Sequence, residues 1–114
     1  EKNLNTWGIC RTSMLLQGFN AQIRRGDTLN EPKFLTASEK LRRFDCVIAN
    51  PPFSMKNWGF SDWIKGDFYG RSKFGVPPKS YGDMAFLMHM LCSLKTDGRM
   101  GVVLPNGVLF RGGR

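Results

Sequence analysis

Four consecutive residues carry the clearest chemistry in this chain: Asn50, Pro51, Pro52 and Phe53. They follow directly on an apolar run, Cys46-Val47-Ile48-Ala49. An asparagine side-chain carbonyl and a backbone carbonyl are both hydrogen-bond acceptors. Pro51 has no N–H, so it brings no competing donor to the same place. A planar exocyclic amine donates two hydrogens and matches a pair of acceptors held this way. With both hydrogens engaged, its nitrogen is drawn toward tetrahedral geometry and its lone pair becomes free to attack. Phe53 can stack on the ring that bears the amine. The same four residues also suit a plain tight turn that ends a strand, because Asn and Pro are turn formers. The residues alone leave both readings open.

Either reading needs a strand to carry the turn. Residues 46–49 read as a buried strand of a parallel sheet, a continuous apolar run with a turn signal directly after it. The residue before a proline is pushed out of the helical region, so Asn50 falls at the strand's carboxyl end. Open α/β sheets bind their ligands at that edge. Upstream, residues 4–18 read as a helix. Trp7, Cys10 and Met14 form its stripe, Leu15 and Leu16 widen it, Gly18 supplies the stop, and Asn3 or Asn5 the cap. Residues 20–26 alternate, with Ala21 and Ile23 on one face, and predict a short strand whose exit turn is Gly26-Asp27-Thr28-Leu29. Residues 31–43 are polar and basic, a loop with a short helix over 38–43.

Residues 54–82 form a long loop. Trp58, Phe60, Trp63, Phe68, Tyr69 and Phe74 interleave with Lys56, Lys65, Arg71, Lys73 and Lys79. A loop of this length in a compact domain is usually functional. Its basic groups suit phosphate and its rings suit unpaired bases, so the loop is expected to cover the pocket or lie against a nucleic acid. Clustering over the core is the alternative for some of the rings. A helix begins at Asp83, a candidate N-cap, with Met84, Leu87, Met88, Leu91 and Leu94 on its apolar face, and Asp97-Gly98 ends it. His89 inside it has no partner at metal-ligand spacing and reads as structural. Residues 99–104 predict another strand, ended by Pro105, and 106–114 a glycine-rich exit loop.

The 114 residues amount to at most one domain. Hydrophobic residues make up 41% and charged residues 23%, an ordinary globular balance. The formal charge of +8 favours a polyanionic partner such as nucleic acid, or an acidic protein surface; a solvated basic face is the alternative. Cys10, Cys46 and Cys92 lack metal-like spacing, and Cys46 and Cys92 fall in apolar runs that predict buried thiols. An odd cysteine count without a disulfide framework suits a reducing cytoplasm. No apolar run approaches the roughly 20 residues that cross a membrane.

Three blocks carry a resemblance. Asn50-Pro-Pro-Phe-Ser-Met-Lys-Asn-Trp-Gly59, Pro77-Pro-Lys-Ser-Tyr-Gly-Asp-Met-Ala-Phe86 and Leu104-Pro-Asn-Gly-Val-Leu-Phe-Arg-Gly-Gly113 resemble, in this order, the modification (M) subunit of type I restriction-modification systems. Those enzymes methylate N6 of adenine in DNA with S-adenosylmethionine. The likeness runs along the whole chain. It implies a Rossmann-like α/β methyltransferase fold, of which residues 1–114 are a middle slice (helix, strand, strand, helix, strand) of a doubly wound, mostly parallel sheet. It implies that Asn50, Pro51, Pro52 and Phe53 are catalytic and that Glu1, Asp27 and Asn50 meet the cofactor. Glu1 would hold the ribose hydroxyls and Asp27 the adenine amine. Without the resemblance Glu1 reads as a solvated terminus and Gly26-Asp27-Thr28 as a common turn.

The family's glycine-rich cofactor loop is expected before Glu1, and its later target-base aromatic after Arg114. No metal is expected. Implied partners are double-stranded DNA, a specificity (S) subunit, a restriction (R) subunit and more than one M subunit, with no membrane. An Asn-Pro-Pro-Phe enzyme acting on ribosomal RNA guanine or protein glutamine remains an alternative, as do a non-catalytic nucleic-acid-binding module and a purely structural assembly subunit.

Overall fold

The computed structural model describes residues 1–110. The Arg111-Gly-Gly-Arg114 ending, expected as loop, lies outside the described residues. Helix α1 runs Leu4–Leu16; of the two caps weighed, Asn3 is the one used, its side chain accepting the Thr6 N–H at 3.1 Å. Gly18 follows with φ +77°, a backbone conformation glycine adopts without penalty.

The expected strand over 20–26 forms no ladder among the described residues. Its main chain is satisfied otherwise. The Glu1 amino group donates to the Arg24 carbonyl, the Gly26 N–H donates to the Glu1 carbonyl, and the Trp7 indole donates to the Ile23 carbonyl. Glu1 thus bridges residues 24 and 26 in the manner of a parallel pair, but one residue is too little partner to make a strand. Residues 34–42 also depart from expectation. In place of a helix over 38–43 they fold back on themselves, with Arg42 N–H donating to Phe34 O and Thr36 N–H to Lys40 O. The Thr36 hydroxyl accepts the Lys40 N–H and Glu39 turns the corner at φ +58°, so local side-chain bonding outcompetes the helix.

The sheet is a parallel pair, β1 (Phe44–Ala49) and β2 (Leu94–Val102). Cys46 to Ala49 lie opposite Arg99 to Val102 in unbroken register. Helix α3 (Asp83–Cys92) makes the crossover and packs against β2. It ends earlier than the sequence predicts, because the Ser93 N–H already caps the His89 and Met90 carbonyls. Asp97-Gly98, expected as the helix stop, instead lies in a bulge over residues 95–98 within β2. Gly98 suits that bulge: a Cβ there would sit 2.7 Å from Leu94 Cδ1 and 3.0 Å from the Asp45 carbonyl. The strand over 44–49 is less covered than a buried parallel strand. Ile48 is 78% exposed and Cys46 is exposed, since the face of β1 that carries both is left uncovered among the described residues. Cys92, also predicted as buried, is half-buried.

The best-buried cluster lies beside the sheet. Leu29, Trp58, Trp63 and Ala85 form it, with Met55, Phe60, Phe86 and Met88 packed around. Trp58 and Trp63 meet edge to face, ring centres 5.3 Å apart. The long loop over 54–82 is therefore packed against Leu29 and helix α3. It contains helix α2 (Phe60–Ile64) and a 3-10 turn (Arg71–Phe74), and its two tryptophans are core rather than platforms for bases. Phe68 and Phe74 stay exposed.

Large apolar side chains at Ile9, Leu16, Ile48, Leu109 and Phe110 remain mostly in solvent. The 114-residue chain on its own is thus expected to unfold without a cooperative transition and to bind an apolar dye strongly. Circular dichroism against temperature, with dye fluorescence alongside, checks this; a sharp melt with little dye binding counts against it.

Candidate active site

Asn50 sits where expected, at the carboxyl end of β1. The chain leaves the sheet there, after the Val103 N–H has bonded to the Ala49 carbonyl. Asn50 is exposed, Pro51 is buried, Pro52 is exposed and Phe53 is half exposed. Pro51 thus anchors the turn in protein while the Asn50 amide and the Phe53 ring face outward.

The next residue explains how the turn keeps this shape. Ser54 has φ +55°, the left-handed region, which costs a non-glycine residue about 1–3 kcal/mol. Its N–H is held by Asp83 Oδ1 at 2.8 Å. One residue on, the Met55 carbonyl accepts the Gly82 N–H at 2.9 Å. Trp58 then closes the bracket. Its indole N–H donates to the Pro78 carbonyl at 3.2 Å, and its side chain lies so near Gly82 that a Cβ there would be 2.9 Å from the Trp58 Cβ. The first and second sequence blocks are thus one packed unit. Asp83 was expected as the helix cap; that position belongs to Gly82, and the Asp83 carboxylate reaches across to Ser54.

The two acids expected at the cofactor lie side by side at a second turn. Glu1 O accepts from Gly26 N–H, and Asp27 follows immediately. Glu1 Oε1 accepts the Asn3 N–H at 2.7 Å, which steadies the start of α1. Asp27 Oδ1 accepts the Leu29 and Asn30 N–H groups, while Oδ2 takes the Asn30 amide and Lys2 Nζ. Burial pushes the Asp27 carboxyl up, but the bonds from Asn30, Lys2 and Leu29 outweigh it and hold the group below the usual carboxylate range. A cavity of about 620 Å3 has Glu1, Gly26 and Thr28 on one wall and Cys46, Val47 and Ile48 of β1 on another. No hydrogen bond joins Asn50 to either acid among the described residues.

What joins the two turns is the loop between 54 and 82. Leu29 of the Asp27 turn is buried against Trp58 and Trp63. Gly59, at φ +99°, lies where a Cβ would be 1.9 Å from the Asn30 Oδ1. Arg71 is the polar link. It is 1% exposed, although its type and setting suggested a phosphate contact. Its guanidinium binds both Asp67 oxygens, donates to the Leu29 carbonyl at 2.7 Å and to the Thr28 carbonyl at 3.4 Å, and lies over the Trp63 ring. With every face engaged, the charge is tolerable in the interior. Asp83, Ser54 and Gly82 carried no individual site signal in the sequence, because each acts through a partner far along the chain, and Arg71 signalled a phosphate contact rather than a structural link.

His89 packs against Arg71, whose Nη1 lies 3.2 Å from His89 Nδ1. Burial first, then the Arg71 charge, depress the His89 pKa to about 4, with Asp67 opposing. The ring is therefore neutral, and Nδ1 accepts from the arginine. Its structural reading stands. Asp67 is pushed up by burial, yet the Arg71 hydrogen bonds and charge hold it lower on balance.

Linkage sets the direction of a pH effect. An unfolded chain protonates His89 near 6.5, whereas the folded one resists until about 4. Stability is thus full above pH 6.5 and falls as the pH drops toward 4, by about 3 kcal/mol in all from this group. His89→Gln keeps an acceptor for Arg71 but cannot titrate. In the full-length protein its melting temperature is expected to vary less than wild type's across that window. Equal slopes in both would remove His89 from the effect.

The family model described as N-6 DNA Methylase matches residues 1–114. The type I restriction enzyme MpnII methylase subunit of Mycoplasma pneumoniae is 30% identical over 122 residues, covering 100% of this chain and 22% of the relative. The HindI methylase subunit of Haemophilus influenzae is 28% identical over 109 residues, covering 94% of this chain and 23% of the relative. The crystal structure of a type I restriction-modification system methyltransferase subunit from Streptococcus thermophilus matches with a TM-score of 0.80 at 35% identity, covering 99% of this chain and 24% of that one. The chain thus spans about a quarter or less of the proteins it matches. The fold is the α/β methyltransferase fold that the sequence implied, and the chain belongs to the N-6 DNA methylase family.

Proposed function

We propose that this chain forms the target-amine site of a DNA adenine-N6 methyltransferase, within the modification subunit of a type I restriction-modification system. The observation that carries this reading is the exposed Asn50 amide and Phe53 ring on a proline-anchored turn at the carboxyl edge of a parallel sheet. The adenine amine is buried in duplex DNA, so the base is flipped out to reach the turn. The Asn50 side-chain carbonyl and the Pro51 backbone carbonyl accept its two hydrogens. Phe53 stacks on the ring and fixes its plane. Holding the nitrogen lone pair on one line is the turn's contribution, and positioning of this kind supplies much of a rate enhancement.

S-adenosylmethionine fits as the methyl donor. Glu1 lines a cavity of about 620 Å3 that reaches β1, and Asp27 lies in sequence between Gly26 and Thr28 of its wall. Carboxylates suit ribose hydroxyls and an adenine amine. When bound, the cofactor supplies an electrophilic methyl group. Double-stranded DNA is the substrate, and the +8 charge favours it. The relatives are methylase subunits of type I restriction enzymes by name. Partnership with a specificity subunit, a restriction subunit and a further modification subunit follows from that likeness. The isolated chain is inactive on this reading, as a slice of one catalytic domain.

The test follows labelled methyl from adenosylmethionine into DNA, using the full-length protein with its specificity subunit. Digestion to nucleosides is expected to put the label in N6-methyladenine, and Asn50→Ala to lower incorporation by at least 100-fold, on the order seen when a key transition-state contact is removed. Label unaffected by the substitution takes Asn50 out of the chemistry. Label in RNA or protein, or DNA binding without any label, replaces the reading with one of its alternatives.

A further inference from the structure

We propose that Asp83 is a positioning residue for the Asn50–Phe53 turn, acting through the strained Ser54. The inference rests on the functional reading above and adds to it. Ser54 directly follows Phe53, so its φ and ψ set where the chain goes after the stacking ring. At φ +55° it stands in a conformation that serine rarely keeps unaided. The group that holds it is Asp83 Oδ1, 2.8 Å from the Ser54 N–H. A carboxylate accepting from a backbone N–H makes a charge-assisted bond, stronger than a neutral one.

Asp83 is itself fixed. It is 2% exposed, in the first turn of α3, beside a Gly82 whose N–H bonds the Met55 carbonyl and whose α-carbon lies against Trp58. The carboxylate therefore cannot follow a drifting loop. It imposes the left-handed turn at Ser54 and with it the direction of Phe53. Asp83 acts on the turn through the Ser54 N–H. It fixes the angle at which Asn50 and Phe53 meet the base, and an error of about 1 Å in such placement can cost on the order of 100-fold in rate.

Four forms of the full-length methyltransferase with its specificity subunit test this: wild type, Asp83→Asn, Asp83→Ala, and Asp83→Ala combined with Ser54→Gly. Asparagine keeps the Oδ1 acceptor and is expected to retain most activity. Alanine is expected to lower kcat by about 10- to 100-fold with the KM for adenosylmethionine little changed. Glycine at 54 adopts a positive φ without a tether, so the double variant is expected to regain a substantial part of the kcat that Asp83→Ala loses. A residue that merely supported the fold would show no such rescue. Hydrogen exchange of the Ser54 amide is read in parallel and is expected to be slow in wild type and Asp83→Asn and fast in Asp83→Ala. The proposal is overturned by a Ser54 amide that exchanges equally in all forms, by an unchanged kcat in Asp83→Ala, or by the absence of rescue. A wild-type protein that transfers no methyl group to DNA removes the functional reading instead, and the exchange data still decide whether Asp83 holds the turn.

Discussion

The structure depends on the seat of Trp58 against Gly82. The tryptophan is fully buried, and no side chain larger than hydrogen fits beneath it. Removing a buried tryptophan side chain typically costs about 3–5 kcal/mol. Keeping Ser54 in the left-handed region costs about 1–3 kcal/mol. The packing term is the larger, so the tryptophan keeps the two segments in register and Asp83 can hold the strained turn at Ser54. The contact brings residues 54–58 onto residues 78–83, and the hydrogen bonds from Ser54, Gly82 and the Trp58 indole follow from that one approach.

Arg71 does for the other turn what Trp58 does for this one, with different physics. A buried guanidinium is costly unless its donors and charge are matched. Here Asp67 takes it in bidentate fashion, the Thr28 and Leu29 carbonyls take further donors, and the Trp63 ring covers a face. Those two carbonyls belong to the turn that begins at Asp27. Leu29 in the same turn enters the cluster with Trp58. The turn bearing Asp27 and the turn bearing Asn50 therefore share one rigid support.

Features set by neighbours in sequence were legible in advance. The cap at Asn3, the stop at Gly18, the strand before Asn50 and the start of the helix at Asp83 all follow from local rules about caps, glycine and proline. Features decided by distant partners were not. The loop bearing Trp58, Trp63 and Arg71 was expected to cover the pocket or lie against a nucleic acid, with core clustering the alternative for some rings, because a nucleic-acid-binding loop and a packed one have the same composition. The burial of Arg71 depends on Asp67 and on carbonyls more than 40 positions upstream. Residues 20–26 had the pattern of a strand without enough partner to form one. Cys46 had the pattern of a buried residue on a strand face that is left uncovered among the described residues. In the site, Asn50 and Phe53 were visible as chemistry, while Ser54 and Asp83 were invisible as geometry.

The choice of an uncharged acceptor at the heart of the turn follows from where it stands. An exposed acceptor must shed water before it can hold an amine, and a neutral carbonyl sheds it at far lower cost than a carboxylate. A carboxylate at position 50 would also repel phosphate. On the proposed function, affinity for a polyanion has to come from elsewhere, and the chain's surplus of cations suits it. Ion pairs within the described residues occupy Asp27, Glu31, Asp45 and Asp67 and leave that surplus intact. On the proposed function, binding and chemistry are therefore divided between groups that do not compete. Diffuse positive charge draws the backbone in, while two neutral carbonyls and a ring, set on a locked turn, decide how the amine is presented.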